Sequence, residues 1–168
     1  MEDKPLSFKA GAWDGSRNDP WVGEKGMLTE GGIRVPYVVA WPGTIPAGST
    51  SDRPAYFGDV LATTCDLAGI PTPEGRDTLS FLPTLKGAEN QPEAPYIYWE
   101  SYEKGGKQAL RFGKWKAVRE PWIGGEIQLF DVRADIGEAK DVAASFPAVA
   151  AQAAKFLQQA HVPSPHWT

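Results

Sequence analysis

Glycine and proline limit what this chain can build. With 18 glycines and 15 prolines in 168 residues, they make up about a fifth of the chain, against an average usage of roughly 12%. Proline is excluded from helix and sheet interiors, and glycine weakens both. The chain is therefore expected to form short elements joined by much loop. Residues 1–34 are the extreme case. Lys4-Pro5, Gly11, Asp14-Gly15, Asp19-Pro20, Gly23, Gly26 and Gly31-Gly32 recur every few positions, leaving no room for a helix of useful length. The run Val35-Pro-Tyr-Val-Val-Ala-Trp41, closed by Pro42-Gly43, is nearly continuously apolar and predicts a strand buried on both faces. In a chain that leaves one of its faces or edges uncovered, Val35–Trp41 would invite self-association.

From Phe57 the apolar period changes. Phe57, Val60, Leu61, Thr64, Leu67 and Ala68 follow the i, i+3, i+4, i+7 spacing of an amphipathic helix that stops at Gly69. A connector with Pro71, Pro73 and Gly75 follows, then a short helical turn over Leu79–Leu85, then a polar linker from Gly87 to Pro95. Beyond it the pattern becomes one of short alternating runs, at 96–100, 108–112, 115–119 and 128–131, separated by glycine-containing turns. They predict an antiparallel meander with Gly113-Lys114 as a two-residue hairpin turn. The last element is a helix with Ser145 as N-cap, Pro147 in its first turn, and Val149, Ala153, Phe156, Leu157 and Ala160 as the stripe that covers the meander.

A hydrophobic content of 42% supports a real core, and 17 basic against 21 acidic residues, net charge −4, argues against a nucleic-acid partner. No stretch approaches the ~20 apolar residues that span a bilayer, and the N-terminus lacks the apolar region of a signal peptide, so neither a membrane nor an address is indicated. The lone Cys65 cannot form an internal disulfide. Inside a helix, beside its apolar face, it is expected to serve as a small hydrophobe. His161 and His166 are separated by Pro163 and Pro165, which forbid helical two-histidine metal geometry, so both are expected to be ordinary solvated side chains. Asp14, Asn18 and Asp19 lack the alternating ligands of a calcium loop and are read as turn formers. Lys25, in Gly23-Glu-Lys-Gly26, places an ammonium on a loop whose backbone can approach a ligand. It is either simply solvated or a contact for an anion.

The stretch Lys25-Gly-Met-Leu-Thr-Glu30-Gly-Gly-Ile-Arg34-Val-Pro36, with Trp41-Pro-Gly and Ile45-Pro-Ala-Gly48 after it, closely resembles a signature of the sulfatase family, the type I arylsulfatases of the alkaline-phosphatase-like superfold. The resemblance continues in order through Asp66-Leu-Ala-Gly69-Ile-Pro71, Ser80-Phe-Leu-Pro-Thr-Leu85, Tyr98-Trp-Glu100, Gly106-Lys-Gln-Ala-Leu-Arg111, Gly113-Lys-Trp-Lys-Ala-Val-Arg119, Leu129-Phe-Asp131 and Asp135-Ile-Gly-Glu138. It runs from about residue 10 to about residue 158. It implies an α/β fold in which the end of an alkaline-phosphatase-like catalytic domain (1–88) precedes a small C-terminal subdomain (89–168), an antiparallel sheet packed by a terminal helix. It also implies that Lys25 contacts the sulfate group of a sulfate ester, while Glu30, Gly31, Gly32, Arg34 and Pro36 shape the loop.

Two family features are missing. No Cys- or Ser-x-Pro-x-Arg segment is present to yield formylglycine, since Cys65 is followed by Asp66-Leu67-Ala68. The paired aspartates and the Asp-Asn or Asp-His pair that hold calcium or magnesium are also missing, and Asp14 of Trp13-Asp14-Gly15 has no second ligand. The chain is therefore expected to be inactive alone. Family members are often exported, but the sequence itself does not indicate location. The alternative is a non-catalytic module that binds glycans through aromatics drawn from Trp99, Tyr102, Trp115 and Trp122, or that self-associates.

Overall fold

The computed structural model describes residues 18–165. They fall into two compact units, residues 18–35 together with 98–165, and residues 36–97. In chain order the elements are α1 (Glu30–Ile33), α2 (Asp59–Ala68), α3 (Leu82–Leu85), β1 (Ile97–Ser101), β2 (Lys107–Phe112), β3 (Trp115–Arg119), β4 (Ile127–Asp131) and α4 (Pro147–Ala160).

The first unit is built on the predicted meander, a four-stranded sheet in the order β1-β2-β3-β4. β2 pairs antiparallel with β3, from Gln108 opposite Arg119 to Phe112 opposite Trp115. β3 pairs antiparallel with β4, with Ala117 opposite Leu129. The β2–β3 hairpin turns on Gly113 at φ +55, the left-handed first position that a Gly-X hairpin turn requires.

Alternation along the strands gives the sheet two different faces. One carries Leu110, Phe112, Ala117 and Leu129 and is covered by α4, whose Ala153 and Leu157 are fully buried. Phe112 meets Phe156 edge-on at 5.6 Å, and Trp115 meets Phe146 at 4.9 Å. The other carries a core of Ala109, Val118, Phe130 and Val132, onto which Leu28 and Trp99 pack. Both faces are thus covered, which accounts for the nearly unbroken burial of β2 and β3.

Helix α4 has Pro147 in its first turn as expected, but Ser145 does not cap it. Ser145 lies in a 3-10 turn over Ala143–Ser145, and Phe146 holds the cap position without a side-chain bond. Proline at the first helical position supplies the helical φ and has no N–H of its own to satisfy.

In the second unit α2 starts at Asp59 and ends at Gly69, which takes up the left-handed C-cap at φ 67, ψ 28. The helix is where the sequence places it, but its buried side is not the expected one. Asp59, Ala62, Thr63 and Cys65 are buried, whereas Phe57, Leu61 and Leu67 are exposed. Hydrogen bonds decide this orientation. The Asp59 carboxylate accepts from the backbone N–H of Leu79 at 2.9 Å, and Thr63 Oγ1 accepts from that of Phe81 at 3.0 Å, which fastens the 78–82 segment to the polar side of the helix. Cys65 is buried, in keeping with its reading as a small hydrophobe.

The expected strand Val35–Trp41 is absent: these residues form no strand, and Val35, Tyr37 and Val38 are 75, 57 and 91% exposed. A strand buried on both faces needs neighbours on its edges and layers above and below, and none of the described strands pairs with it.

Candidate functional site

The Lys25 loop is a type II β-turn hung on a buried charge cluster. The Met27 backbone N–H donates to Glu24 O at 3.0 Å, with Gly26 at φ +89 in the third turn position, where a positive φ favours glycine. Lys25 occupies the second position, with its side chain exposed.

The base of the turn is fixed in three ways. The Asn18 side-chain amide donates to Gly23 O at 2.8 Å and Gly31 O at 3.1 Å. The Gly31 N–H donates to Val22 O at 2.8 Å. The two glycines also pack backbone against backbone: a Cβ on Gly31 would lie 2.7 Å from Val22 O, and one on Gly32 would lie 2.3 Å from Met27 O and 2.7 Å from Glu24 O. Gly32 therefore presses on the carbonyls that define the Lys25 turn. Gly32→Ala is expected to cost about 1–3 kcal/mol, as over-packing does, and to displace the backbone amide resonances of 24–27 in a heteronuclear NMR spectrum. Unmoved resonances would mean that the turn is not seated on Gly32.

Below the turn, α1 carries Glu30, which is 1% exposed. Its carboxylate accepts from Arg34 Nε at 2.7 Å, from an Arg111 guanidinium N–H at 3.1 Å and from Lys116 Nζ at 3.1 Å. Lys116 is fully buried, lies 3.7 Å from Glu138 Oε1 and sits 5.5 Å over the Trp99 ring. Glu138 Oε2 in turn accepts from the Glu30 backbone N–H at 2.6 Å. Glu138 itself stands at φ 48, a left-handed backbone that a residue without glycine's freedom keeps only when its surroundings hold it there. Burial alone would raise the Glu30 carboxyl, but the charges of Lys116 and Arg111 and the hydrogen bonds from Arg34 and Lys116 outweigh it and hold Glu30 below its ordinary value. Burial dominates at Glu138 and pushes its carboxyl up despite Lys116.

The other residues singled out from the sequence are not gathered here. Asn18 is a turn former, as expected. Asp19 is exposed. Trp13, Asp14, Gly15 and His166 lie outside the described residues. His161 corrects the expectation of a solvated histidine: its Nδ1 is 2.9 Å from Glu100 Oε2, and its ring packs on Trp122 at 4.6 Å. Glu100 also accepts from the hydroxyls of Tyr98 at 2.5 Å and Tyr102 at 2.8 Å. Burial tends to raise its carboxyl, but the hydrogen bonds from Tyr98, His161 and Tyr102 win and lower it. Trp99, Trp115 and Trp122 are each half-buried and packed against other side chains. The sequence reading did not single out Lys116, Arg111 or Glu138 as a cluster. The available signal was a lysine inside a strand and flanked by apolar and aromatic residues, Trp115-Lys-Ala-Val118.

A meander covered by a terminal helix, with a Lys-Gly turn tethered through a half-buried Thr-Glu-Gly-Gly segment whose Glu30 is buried, defines the C-terminal region of a sulfatase. The family described as N-sulphoglucosamine sulphohydrolase, C-terminal, matches residues 20–164, and the chain belongs to it. An uncharacterized sulfatase of Schizosaccharomyces pombe is 31% identical over 149 residues, covering 80% of this chain and 26% of the relative. The N-acetylgalactosamine-6-sulfatase of Canis lupus familiaris is 34% identical over 110 residues, 64% of this chain and 20% of the relative. Among solved structures, that of Ps i-CgsB superposes with a TM-score of 0.75 at 31% identity, covering 84% of this chain and 32% of that one. The chain thus spans about a quarter of the length of the first of these relatives. No described helix is long and apolar enough to cross a membrane.

The sequence has no Cys- or Ser-x-Pro-x-Arg segment. Among the described residues no three His, Cys, Asp or Glu side chains gather in a group that could hold a metal ion. The described residues thus supply neither the formylglycine precursor segment nor a cluster of metal-binding side chains.

Proposed function

We propose that this chain is the sulfate-gripping and C-terminal portion of a sulfuric ester hydrolase, with Lys25 as the residue that contacts the sulfate, and that it is inactive by itself. The observation that carries the reading is the mounting of Lys25, an exposed ammonium at the tip of a tight turn whose base is fixed by Asn18, Gly31, Gly32 and the buried Glu30. A compact cation held in this way can donate to a sulfuryl oxygen and stabilise negative charge growing on it. The division at residue 88, with the end of a catalytic domain before it, belongs to the same reading. So do the exposed apolar side chains of 35–41 and of α2, because the relatives have further chain with which to cover such surfaces.

Two measurements test the proposal. Incubated with calcium and 4-nitrophenyl sulfate, the chain is expected to show no turnover above background, and turnover abolished by Lys25→Ala would overturn its inactivity. Titration with sodium sulfate to tens of millimolar is expected to move the amide resonances of Lys25 and Gly26 in the parent and not in Lys25→Ala. Resonances unmoved in both would remove Lys25 from the anion-contacting role.

A further inference from the structure

The turn Asp135-Ile-Gly-Glu138, which follows β4, reaches the Lys25 segment at two points. Glu138 Oε2 accepts from the Glu30 backbone N–H at 2.6 Å, across 108 positions of sequence. One residue earlier, Gly137 lies so near Pro20 O that a Cβ on it would stand 3.4 Å away. Pro20 and Glu30 bracket the lysine turn. Pro20 precedes Trp21, whose N–H donates to Asn18 O at 2.7 Å. Glu30 opens α1, in which Gly31 backs onto the carbonyl of Val22 and Gly32 onto those of Glu24 and Met27.

The 135–138 turn is itself firmly mounted. The Asp135 N–H donates to Asp131 O at 2.8 Å and the Glu138 N–H to Asp135 O at 3.2 Å, while Asp135 Oδ2 accepts from the Lys140 N–H at 2.8 Å. Just beyond, Asp141 Oδ1 accepts from the Leu129 N–H at 3.0 Å and ties the chain back to β4. On this platform Glu138 holds φ 48, a left-handed backbone found at no other non-glycine residue among those described. Glycine would remove the steric cost of that conformation and, with it, the carboxylate. A carboxylate kept on a rigid mount despite backbone strain fixes the place of whatever it binds.

The two carboxylate oxygens are not equivalent. Oε2 makes the short, charge-assisted bond to the Glu30 N–H. Oε1 makes no hydrogen bond and faces Lys116 Nζ at 3.7 Å, a charge that Glu30 already meets at 3.1 Å. The directional contact of Glu138 is therefore with the start of α1, and α1 carries the glycines on which the lysine turn sits.

We propose that Glu138 is a positioning residue for Lys25: by holding the Glu30 N–H it fixes where α1 begins and, through Gly31 and Gly32, the place of the turn that presents the ammonium to a sulfate. The inference rests on the reading of Lys25 as the sulfate contact. A small displacement of a binding group is enough to weaken what it binds, so loss of the Glu138 acceptor is felt at Lys25 although the two side chains share no contact.

The test uses the whole chain, sodium sulfate as the probe and two variants. Glu138→Gly is at ease at φ 48 but has no acceptor, and Glu138→Gln keeps the length and an acceptor oxygen but loses the charge. In Glu138→Gly the Glu30 and Met27 amides are expected to exchange with solvent about tenfold faster than in the parent, beyond any change in the amides of β2 and β3. Followed at the Lys25 and Gly26 resonances, sulfate is expected to bind Glu138→Gly about fivefold more weakly than the parent and Glu138→Gln within about twofold of it, whatever the order of their urea midpoints. A role confined to stability would instead rank sulfate affinity with those midpoints. Should Glu138→Gly fail to fold, Glu138→Asn, which tolerates the same backbone and is one carbon too short to keep the bond, takes its place. Unchanged exchange at Glu30 and Met27, parental sulfate affinity in the folded acceptor-less variant, or an equal loss in Glu138→Gln would overturn the inference. No sulfate shift in the parent would overturn the reading of Lys25, and the exchange rates would then decide separately whether Glu138 holds the turn.

Discussion

Glu30→Ala is expected to destabilise the chain by about 3–5 kcal/mol, the cost of removing one partner from a buried ion pair. The substitution leaves Lys116, fully buried, with only the more distant Glu138 at 3.7 Å, and strips Arg111 of its hydrogen bond. Few small domains have much more stability than that to lose. Urea unfolding of parent and variant measures the difference, and a loss below about 1 kcal/mol would mean that the cluster behaves as a solvated surface pair. Its pH signature has a definite sign. Because Glu30 is held below its unfolded value of 4.5, its contribution is complete above that pH and is lost as pH falls through the folded value. Glu138 acts in the opposite sense: its raised carboxyl binds the proton more tightly in the folded state, so acidification favours the fold at that site. The parent is therefore expected to lose stability below about pH 4.5, and Glu30→Ala to lose less over the same interval, because the lowered Glu30 carboxyl is gone. Equal acid sensitivity in both proteins would assign the acid loss elsewhere, with Glu100, lowered by its three hydrogen bonds, the first group to examine.

What the sequence made legible was local. The four strands, the Gly113 turn, helix α2 with its Gly69 stop, and the span of α4 are each written in residues that touch one another along the chain, where period and turn chemistry act directly. The errors lie where distant residues decide. The apolar spacing of α2 points Phe57, Leu61 and Leu67 inward, but Asp59 and Thr63 bind the backbone of residues 79 and 81, and these two hydrogen bonds, one part-buried and one buried, override the stripe. Val35–Trp41 has the composition of a core strand, yet a strand is a property of the pair, and the described residues provide no neighbour for it. His161 was read as solvated because its carboxylate partner lies 61 positions earlier in the chain. The Glu30–Lys116 contact joins residues 86 apart, and no periodicity marks two charges that will meet in the interior. Lys25 is a different case: glycine spacing and charge left it open between a solvent-facing lysine and an anion contact, and the resemblance to sulfatases singled it out.

Leu157→Ala is expected to cost about 2–5 kcal/mol, the range for deleting a buried leucine. Leu157 is fully buried on the same sheet face as Leu110, Ala117 and Leu129, and together with Ala153 it forms the centre of the α4 stripe. A helix of 14 residues is marginal in isolation, so most of what holds α4 must come from this packing. Phe156 and Phe146 lie nearer the margin of the contact, each half-buried or more exposed, and cannot collapse into the space left by Leu157 without abandoning Phe112 and Trp115. Urea unfolding would read the loss directly. A cost under about 1 kcal/mol would show that the sheet does not depend on the helix above it.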